Sequence, residues 1–269
     1  MDAIALAEHA LGVPQLILAV PPPVPDGFET ALARLVRRRE AREPLQHIVG
    51  YAAFRQVIVR TAPDVFLPRP ETEIVAQQAV DETQRLADAA QEPLVVDLCC
   101  GSGVIGVSVA VEVPGSRVVA IDIDPAAVNL ARTNADLPGV SSIRIEVGDV
   151  CDPAMLADLN GAVDVVVGNP PYIPDDAVPL DPEVGDHDPP RALFGGGTDG
   201  LDLPRQVVGA AARLLRPGGL LVMEHADVQG AAVRDLVDRA DAFEPAITHQ
   251  DLTGRDRFVR ARRLQHRSP

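Results

Sequence analysis

From residue 94 onward the chain alternates short runs rich in Val and Ile with stretches that carry apolar residues at helical spacing. Leu94-Val95-Val96-Asp97-Leu98 comes first, followed by Val104 to Val111, Arg117 to Asp122, Pro125 to Asn134, Ser142 to Val147 and Val163 to Gly168. Strand-length runs interleaved with helical patterns predict an α/β fold, a parallel sheet with helices on both faces. The carboxyl ends of the early strands then line a ligand crevice. Further on, the spacing predicts a helix near 201–215, a turn at Arg216-Pro217-Gly218-Gly219, a strand over Leu220 to His225, a helix near 228–240 and two final strands.

The first 66 residues read differently. Residues 2–12 place Ile4, Ala7 and Leu11 on one helical face, and Gly12 and Pro14 stop it. Pro21 to Pro25 form a rigid connector, and Phe28 to Ala41 repeat apolar positions at Leu32 and Leu35, which predicts a second helix. Its arginines at 34, 37, 38, 39 and 42 read as a solvated face or as a contact for an acidic partner. Residues 47–60, rich in Val, Ile, Tyr and Phe around a central glycine, predict a hairpin.

Val95 to Leu98 run into Cys99-Cys100-Gly101-Ser102-Gly103-Val104-Ile105-Gly106, a G-x-G-x-x-G turn opening a helix. By itself this turn is a weak signal, shared with dinucleotide enzymes. Asp97 just before it and Asp122 at the end of the next strand add two carboxylates, which suit a cationic, phosphate-free cofactor better than a pyrophosphate. Asp122 sits where a carboxylate accepts both ribose hydroxyls, a task common to NAD and S-adenosylmethionine. Asp149, after the third strand, is placed to take an exocyclic adenine amine. The alternative use of each aspartate is a helix cap. Cys99 and Cys100 read as small turn residues, not as reactive thiols.

The fourth strand ends in Asn169-Pro170-Pro171-Tyr172, which holds one of only two tyrosines in the chain. Prolines remove donors and fix the backbone. The Asn169 side-chain oxygen and the Pro170 carbonyl are then two acceptors able to hold both N–H groups of a planar nitrogen, with Tyr172 packing on the flat group. The segment alone leaves a nucleic-acid base and a protein amide equally open.

Composition narrows the choice. The net charge of −15 disfavours nucleic acid, whose binding is driven by counterion release onto clustered cations. All 24 basic residues are arginine, so Schiff-base chemistry and a P-loop lysine are excluded. Three cysteines without regular spacing indicate neither a disulfide framework nor a zinc site. No apolar run reaches the ~18 residues of a membrane span, and a cytoplasmic setting is expected.

These residues together resemble the HemK (PrmC) family, protein-glutamine N5-methyltransferases that modify the Gly-Gly-Gln glutamine of peptide chain release factors. Asn169 to Tyr172 is shared with DNA adenine methyltransferases, but the resemblance extends to Pro44-Leu45-Gln46 with Gly50 and to Leu67-Pro68-Arg69-Pro70-Glu71-Thr72-Glu73. It continues through Asp181 to Gly200, with Ala192 to Gly196 and Asp199-Gly200-Leu201. Pro217-Gly218-Gly219, Glu224-His225, Gln229-Gly230 and Asp251 to Arg257 complete it. The family usually has Gly-Thr where this chain has Cys99-Cys100, and Glu-Pro near Asp188-Pro189.

The resemblance implies a Rossmann-like class I S-adenosylmethionine-dependent methyltransferase sheet over 67–269. It also implies a short helical substrate-recruiting appendage over 1–43 and a hairpin connector over 44–66. It implies cofactor contacts from Asp97, Cys99, Cys100, Gly101, Ser102, Gly103, Asp122, Asp149, Val150 and Asn169. Asn169, Pro170, Pro171 and Tyr172 would hold the substrate glutamine, with Asn169, Pro170 and Tyr172 catalytic. Release factors are the expected partner, with no membrane and no direct nucleic-acid contact. The competing readings are a ribosomal-protein glutamine, adenine N6 of DNA, an S-adenosylmethionine-binding protein without catalysis and, last, an NAD oxidoreductase.

Overall fold

The computed structural model describes residues 2–179 and 181–265. Seven strands form one sheet: β3 (Leu94–Leu98), β4 (Arg117–Asp122), β5 (Ile143–Val147), β6 (Val163–Gly168), β7 (Leu215–Glu224), β8 (Ile247–Gln250) and β9 (Asp256–Arg262). Their spatial order is β5-β4-β3-β6-β7-β9-β8. The first five are parallel, as the alternation predicts, whereas β9 runs antiparallel to β7 and β8 antiparallel to β9. The departure has a simple cause. Only residues 251–255 separate β8 from β9, and a parallel crossover needs a dozen or more residues. Every residue of β3 and β6 is buried, as expected of central strands covered on both faces. Chain order reverses between β3 and β6, which makes their carboxyl ends the topological switch point where such sheets bind ligands.

Helices α4 (Thr72–Asp88), α5 (Val104–Glu112) and α6 (Pro125–Asp136) cover one face; α8 (Asp202–Leu214) and α9 (Gly230–Asp238) cover the other. α5 is helical although Val and Ile fill half of it, residues that lose χ1 freedom in a helix. Burial on nearly all sides outweighs that propensity of a few tenths of a kcal/mol per residue, each buried aliphatic side chain contributing roughly 1.5–3 kcal/mol. α4 was not expected from periodicity. Its buried Val75, Ala76, Ala79, Val80, Thr83 and Leu86 fall at helical spacing once Thr72 is taken as the first residue. Arg216 to Gly219 form no separate turn but the irregular start of β7, with Gly218 at φ 78°.

In the amino-terminal part, α1 (Asp2–Leu11), α2 (Phe28–Glu40) and α3 (Leu45–Val49) pack Leu6, Leu35, Ile48 and Val49 into a small core of their own. The hairpin is therefore shorter than expected. Leu45–Val49 are helix, Gly50 at φ 82° ends that helix, and β1 (Tyr51–Phe54) pairs with β2 (Val57–Arg60). Part of the arginine face is used inside the chain: Arg38 pairs with Glu43, while Arg39 bonds to Asp2 and to Glu183 of α7 (Pro182–His187).

Candidate active site at the carboxyl edge of the sheet

The carboxyl ends of β3, β4 and β6 surround a cleft of about 610 Å³, inside the usual range for small-molecule sites. Its floor is the turn after β3. Cys99 and Gly101 adopt positive φ, 59° and 54°, a conformation costly for the non-glycine Cys99. Fixed hydrogen bonds hold it there: Cys100 N–H to the Ile121 carbonyl at 2.9 Å, Gly101 N–H to Asp122 Oδ2 at 2.8 Å and Gly103 N–H to the Cys100 carbonyl at 2.8 Å. Burial pushes the Cys99 and Cys100 thiols up, away from thiolate reactivity.

Asp122 accepts a second backbone hydrogen bond, from Asp124 at 2.9 Å, and burial raises its pKa. Ile123, largely exposed, Asp149 and Val150 complete that wall, and Asp149 Oδ1 is braced by the Cys151 amide at 2.8 Å. Cys99, Cys100, Gly101, Ser102, Asp122, Asp149, Val150 and Asn169 all border the cleft. Two of the expected cofactor contacts do not. Gly103 is turned to α6, where a Cβ would stand 2.8 Å from that of Ala131. Asp97 lies fully buried beneath the turn, Oδ2 accepting the Gly106 amide in the first turn of α5 at 2.9 Å, which is the helix-capping use of an aspartate. Oδ1 has no partner among the described residues, and burial lifts the carboxyl to about 7.

Sequence reasoning missed Asn134. Fully buried on α6, it donates Nδ2 to the Ser102 carbonyl at 2.9 Å and accepts the Arg60 amide on Oδ1 at 2.7 Å. A polar residue midway through an amphipathic helix was the available signal. The opposite rim joins two segments: Arg69 pairs with the buried Asp188 and lies 5.0 Å over the Phe66 ring, and Phe66, Arg69, Pro189, Arg191 and Phe194 line the cleft.

The Asn169–Tyr172 loop leaves β6 at the cleft's inner end. Asn169 Nδ2 donates to Thr72 Oγ1 at 3.5 Å, and the residue borders the cleft. Pro171 borders the cleft and Pro170 is buried. Tyr172, expected to pack on a flat acceptor, instead turns its hydroxyl inward to donate to Glu224 Oε1 at 3.4 Å. Burial first, and Glu224 next, push its pKa up.

The glycine-rich segment after α7 fastens this loop. Tyr172 and Ile173 N–H both bond to the Leu193 carbonyl, Gly195 N–H bonds to that of Ile173, and Gln229 Nε2 donates to the carbonyls of Tyr172 and Asp199 at 2.8 Å. A Cβ on Gly195 would stand 2.6 Å from the Pro171 oxygen, and one on Gly200 would overlap the Tyr172 carbonyl. The blocks Ala192 to Gly200 and Gln229 thus belong to the acceptor loop.

The charge around the cleft favours a cation. Asp64, Asp122, Asp124 and Asp149 border it, while its two arginines are engaged, Arg69 by Asp188 and Arg191 by Asp124 at 3.4 Å. A carboxylate ending the second strand, a glycine turn whose amides are already taken within the fold and an acidic border fit S-adenosylmethionine, and they do not fit a pyrophosphate. Among the described residues no three His, Cys, Asp or Glu gather as a metal site, and no helix is long and apolar enough to cross a membrane. The fold and cleft define a class I S-adenosylmethionine-dependent methyltransferase.

Comparison with known proteins narrows the class. Residues 72–181 match the methyltransferase small domain, and residues 1–50 match the PrmC N-terminal domain. The release factor glutamine methyltransferase of Mycobacterium leprae is 43% identical over 267 residues, 98% of this chain and 90% of that one. The 4-amino-L-phenylalanine/4-methylamino-L-phenylalanine methyltransferase of Streptomyces pristinaespiralis is 43% identical over 235 residues, 86% of this chain and 77% of that one. Among solved structures, a T. thermophilus 16S rRNA N2 methyltransferase bound to AdoMet and guanosine superposes with a TM-score of 0.57 at 19% identity, over 79% of this chain and 49% of that one, a likeness of fold alone. The chain belongs to the release factor glutamine methyltransferase (PrmC) family.

Proposed function

We propose that the protein methylates the side-chain nitrogen N5 of a glutamine in a protein of the translation machinery, the Gly-Gly-Gln segment of a release factor being the favoured substrate. The observation that carries this reading is the position of Asn169, which borders the cleft at the end of β6 and whose amide nitrogen lies 3.5 Å from Thr72 Oγ1. S-adenosylmethionine supplies a methyl group made electrophilic by its sulfonium. The chain's task is to make an amide nitrogen accept it.

An amide nitrogen is a poor nucleophile because its lone pair is delocalised into the carbonyl. Asn169 Oδ1 and the Pro170 carbonyl accept its two N–H groups, which draws electron density onto nitrogen and aims the lone pair at the methyl group. Holding the nitrogen in line is the main catalytic device, and positioning of this kind contributes up to ~7–11 kcal/mol. No strong base is required, since the methylated nitrogen releases its proton to water. Asp122 takes the ribose hydroxyls, Asp149 and Val150 meet the adenine, and Cys99 to Ser102 present backbone to the methionine portion. Residues 1–43 recruit the protein substrate, an assignment supported by their lying within the match to the PrmC N-terminal domain.

The test offers methyl-labelled S-adenosylmethionine with, separately, release factor, the large ribosomal subunit, duplex DNA and 4-amino-L-phenylalanine. Label on the release-factor glutamine, located by mass spectrometry, is the expected result. Label on DNA or the free amino acid with none on protein overturns the reading.

A further inference from the structure

The amino-terminal helices close around Leu6, Leu35, Ile48 and Val49, a core separate from the two that cover the faces of the sheet. Parts of a chain joined without a large apolar interface move relative to one another by default. Here the fixing contacts are polar, and they are concentrated at one place. Among the described residues, every hydrogen bond from residues 2–43 to the methyltransferase domain ends on Asp181 or Glu183, at the start of α7.

Arg39 is the centre of this junction. Its Nε donates to Asp2 Oδ2 in α1 at 2.7 Å, and its Nη1 donates to Glu183 Oε1 at 2.8 Å and to the Glu43 carbonyl at 3.2 Å. Attachment at three points holds the planar guanidinium in one orientation. Arg42 adds longer pairs to Asp181 and Glu183, 3.5 Å each, and Asp181 caps α7 by accepting the Glu183 amide at 3.0 Å. The Arg39 and Glu183 side chains are only 25% and 22% exposed, so salt screens their attraction less than at an open surface. From α7 the same run of chain continues to Asp188, paired with Arg69, and to Leu193, whose carbonyl accepts the Tyr172 and Ile173 amides. Building on the function proposed above, we propose that Arg39 and Glu183 are positioning residues whose pair holds the recruiting helices in a fixed direction relative to the acceptor loop, so that a protein captured on residues 1–43 presents its glutamine at Asn169.

A protein substrate of this kind meets the enzyme at two places, the recruiting helices and the cleft. Once the first contact is made the second is intramolecular, and its effective concentration is highest when the span between the two sites matches that in the substrate. A loose junction spreads the recruiting helices over many directions and dilutes the glutamine at the cleft. Chemistry on a glutamine already seated is untouched, because neither Arg39 nor Glu183 borders the cleft. The loss therefore falls on KM for the protein substrate and not on kcat.

Glu183→Lys sets a cation against Arg39 and Arg42. It should raise KM for intact release factor by about 10-fold, part of the gain that linked contacts supply, and leave kcat at saturating release factor and the affinity for S-adenosylhomocysteine near wild type. Glu183→Gln keeps an oxygen for Arg39 and should retain a KM near wild type. Independently of turnover, Arg39→Met should quicken hydrogen exchange at the amides of α7, an element it does not belong to, and leave those of α5 unchanged. An unchanged KM in Glu183→Lys overturns the proposal, as does a fall in kcat with KM held. A raised KM in Glu183→Lys with α7 exchange unchanged in Arg39→Met makes Glu183 a direct substrate contact and overturns it too. A wild-type protein that labels no release factor refutes the proposed function instead, and the exchange of α7 then decides this inference alone.

Discussion

Asn134 and Ser102 are joined by a 2.9 Å hydrogen bond that connects helix α6 to the floor of the cofactor cleft, and the same asparagine holds the Arg60 amide of the hairpin. One fully buried side chain therefore fixes the height of the glycine turn and the seat of β2 at once. Asn134→Leu would leave the Ser102 carbonyl and the Arg60 N–H unpaired in the interior, at a cost of about 1–3 kcal/mol for each group. The expected outcome is a lower thermal midpoint together with a weaker S-adenosylhomocysteine dissociation constant by calorimetry. Unchanged affinity in a folded variant would show that the turn holds its shape without Asn134.

Gly200 packs its Cα against the Tyr172 carbonyl with no room for a methyl group, at φ 72°. Gly200→Ala should displace the acceptor loop and lower kcat by at least about 10²-fold, the loss expected from a misplacement on the order of 1 Å. Cofactor affinity should change little, because Asp122 and the turn after β3 lie on other strands. Initial rates at saturating cofactor, set beside the calorimetric dissociation constant, separate the two effects.

The strands of the parallel half were legible because a strand buried on both faces must be apolar throughout, and β3 and β6 contain little else. The carboxylate at Asp122 and the acceptor loop were legible from position at strand ends. What escaped depends on contacts between residues far apart in sequence. Tyr172 reads from the sequence as packing on a flat acceptor group, and its hydroxyl finds Glu224, 52 positions away. Asp97 announces a polar site by its place before a glycine turn, but whether it meets ligand or caps α5 is decided by how the turn folds over it. Leu45–Val49 has the composition of a strand and is helical because Ile48 and Val49 fill the small core beneath α1 and α2.

Arg55 at the hairpin tip forms a two-pronged pair with Glu112 at the end of α5, both contacts 2.7 Å and both side chains largely buried. It also bonds to the Glu73 carbonyl and to Gln77 of α4. Glu112→Ala leaves the guanidinium buried without its main counter-charge, and breaking a pair of this kind costs about 3–5 kcal/mol. Chemical denaturation should show that loss in the midpoint, with kcat near wild type where the variant is folded. A shift under ~1 kcal/mol would mean that water reaches the pair and screens it as at a surface site.

Asp97 makes folding stability depend on pH in a direction unusual for an aspartate. Its folded pKa is raised from 3.8 to about 7 by burial, with Asp122 adding to the shift and the Gly106 amide opposing it. A carboxyl that holds its proton more tightly when folded contributes stability that is complete below the unfolded pKa and is lost as pH rises through the folded value. Glu224, raised from 4.5 to about 7, acts in the same sense. The cofactor-free protein should therefore lose thermal stability between about pH 4 and pH 7, beyond any change from surface groups. Asp97→Asn keeps an oxygen for the Gly106 amide and has no proton to lose. Its melting temperature should fall less steeply across this interval, and at pH 8 it should equal or exceed that of the wild type. A variant whose melting temperature tracks the wild type at every pH would show that Asp97 is ionised throughout and that its charge is balanced in the fold.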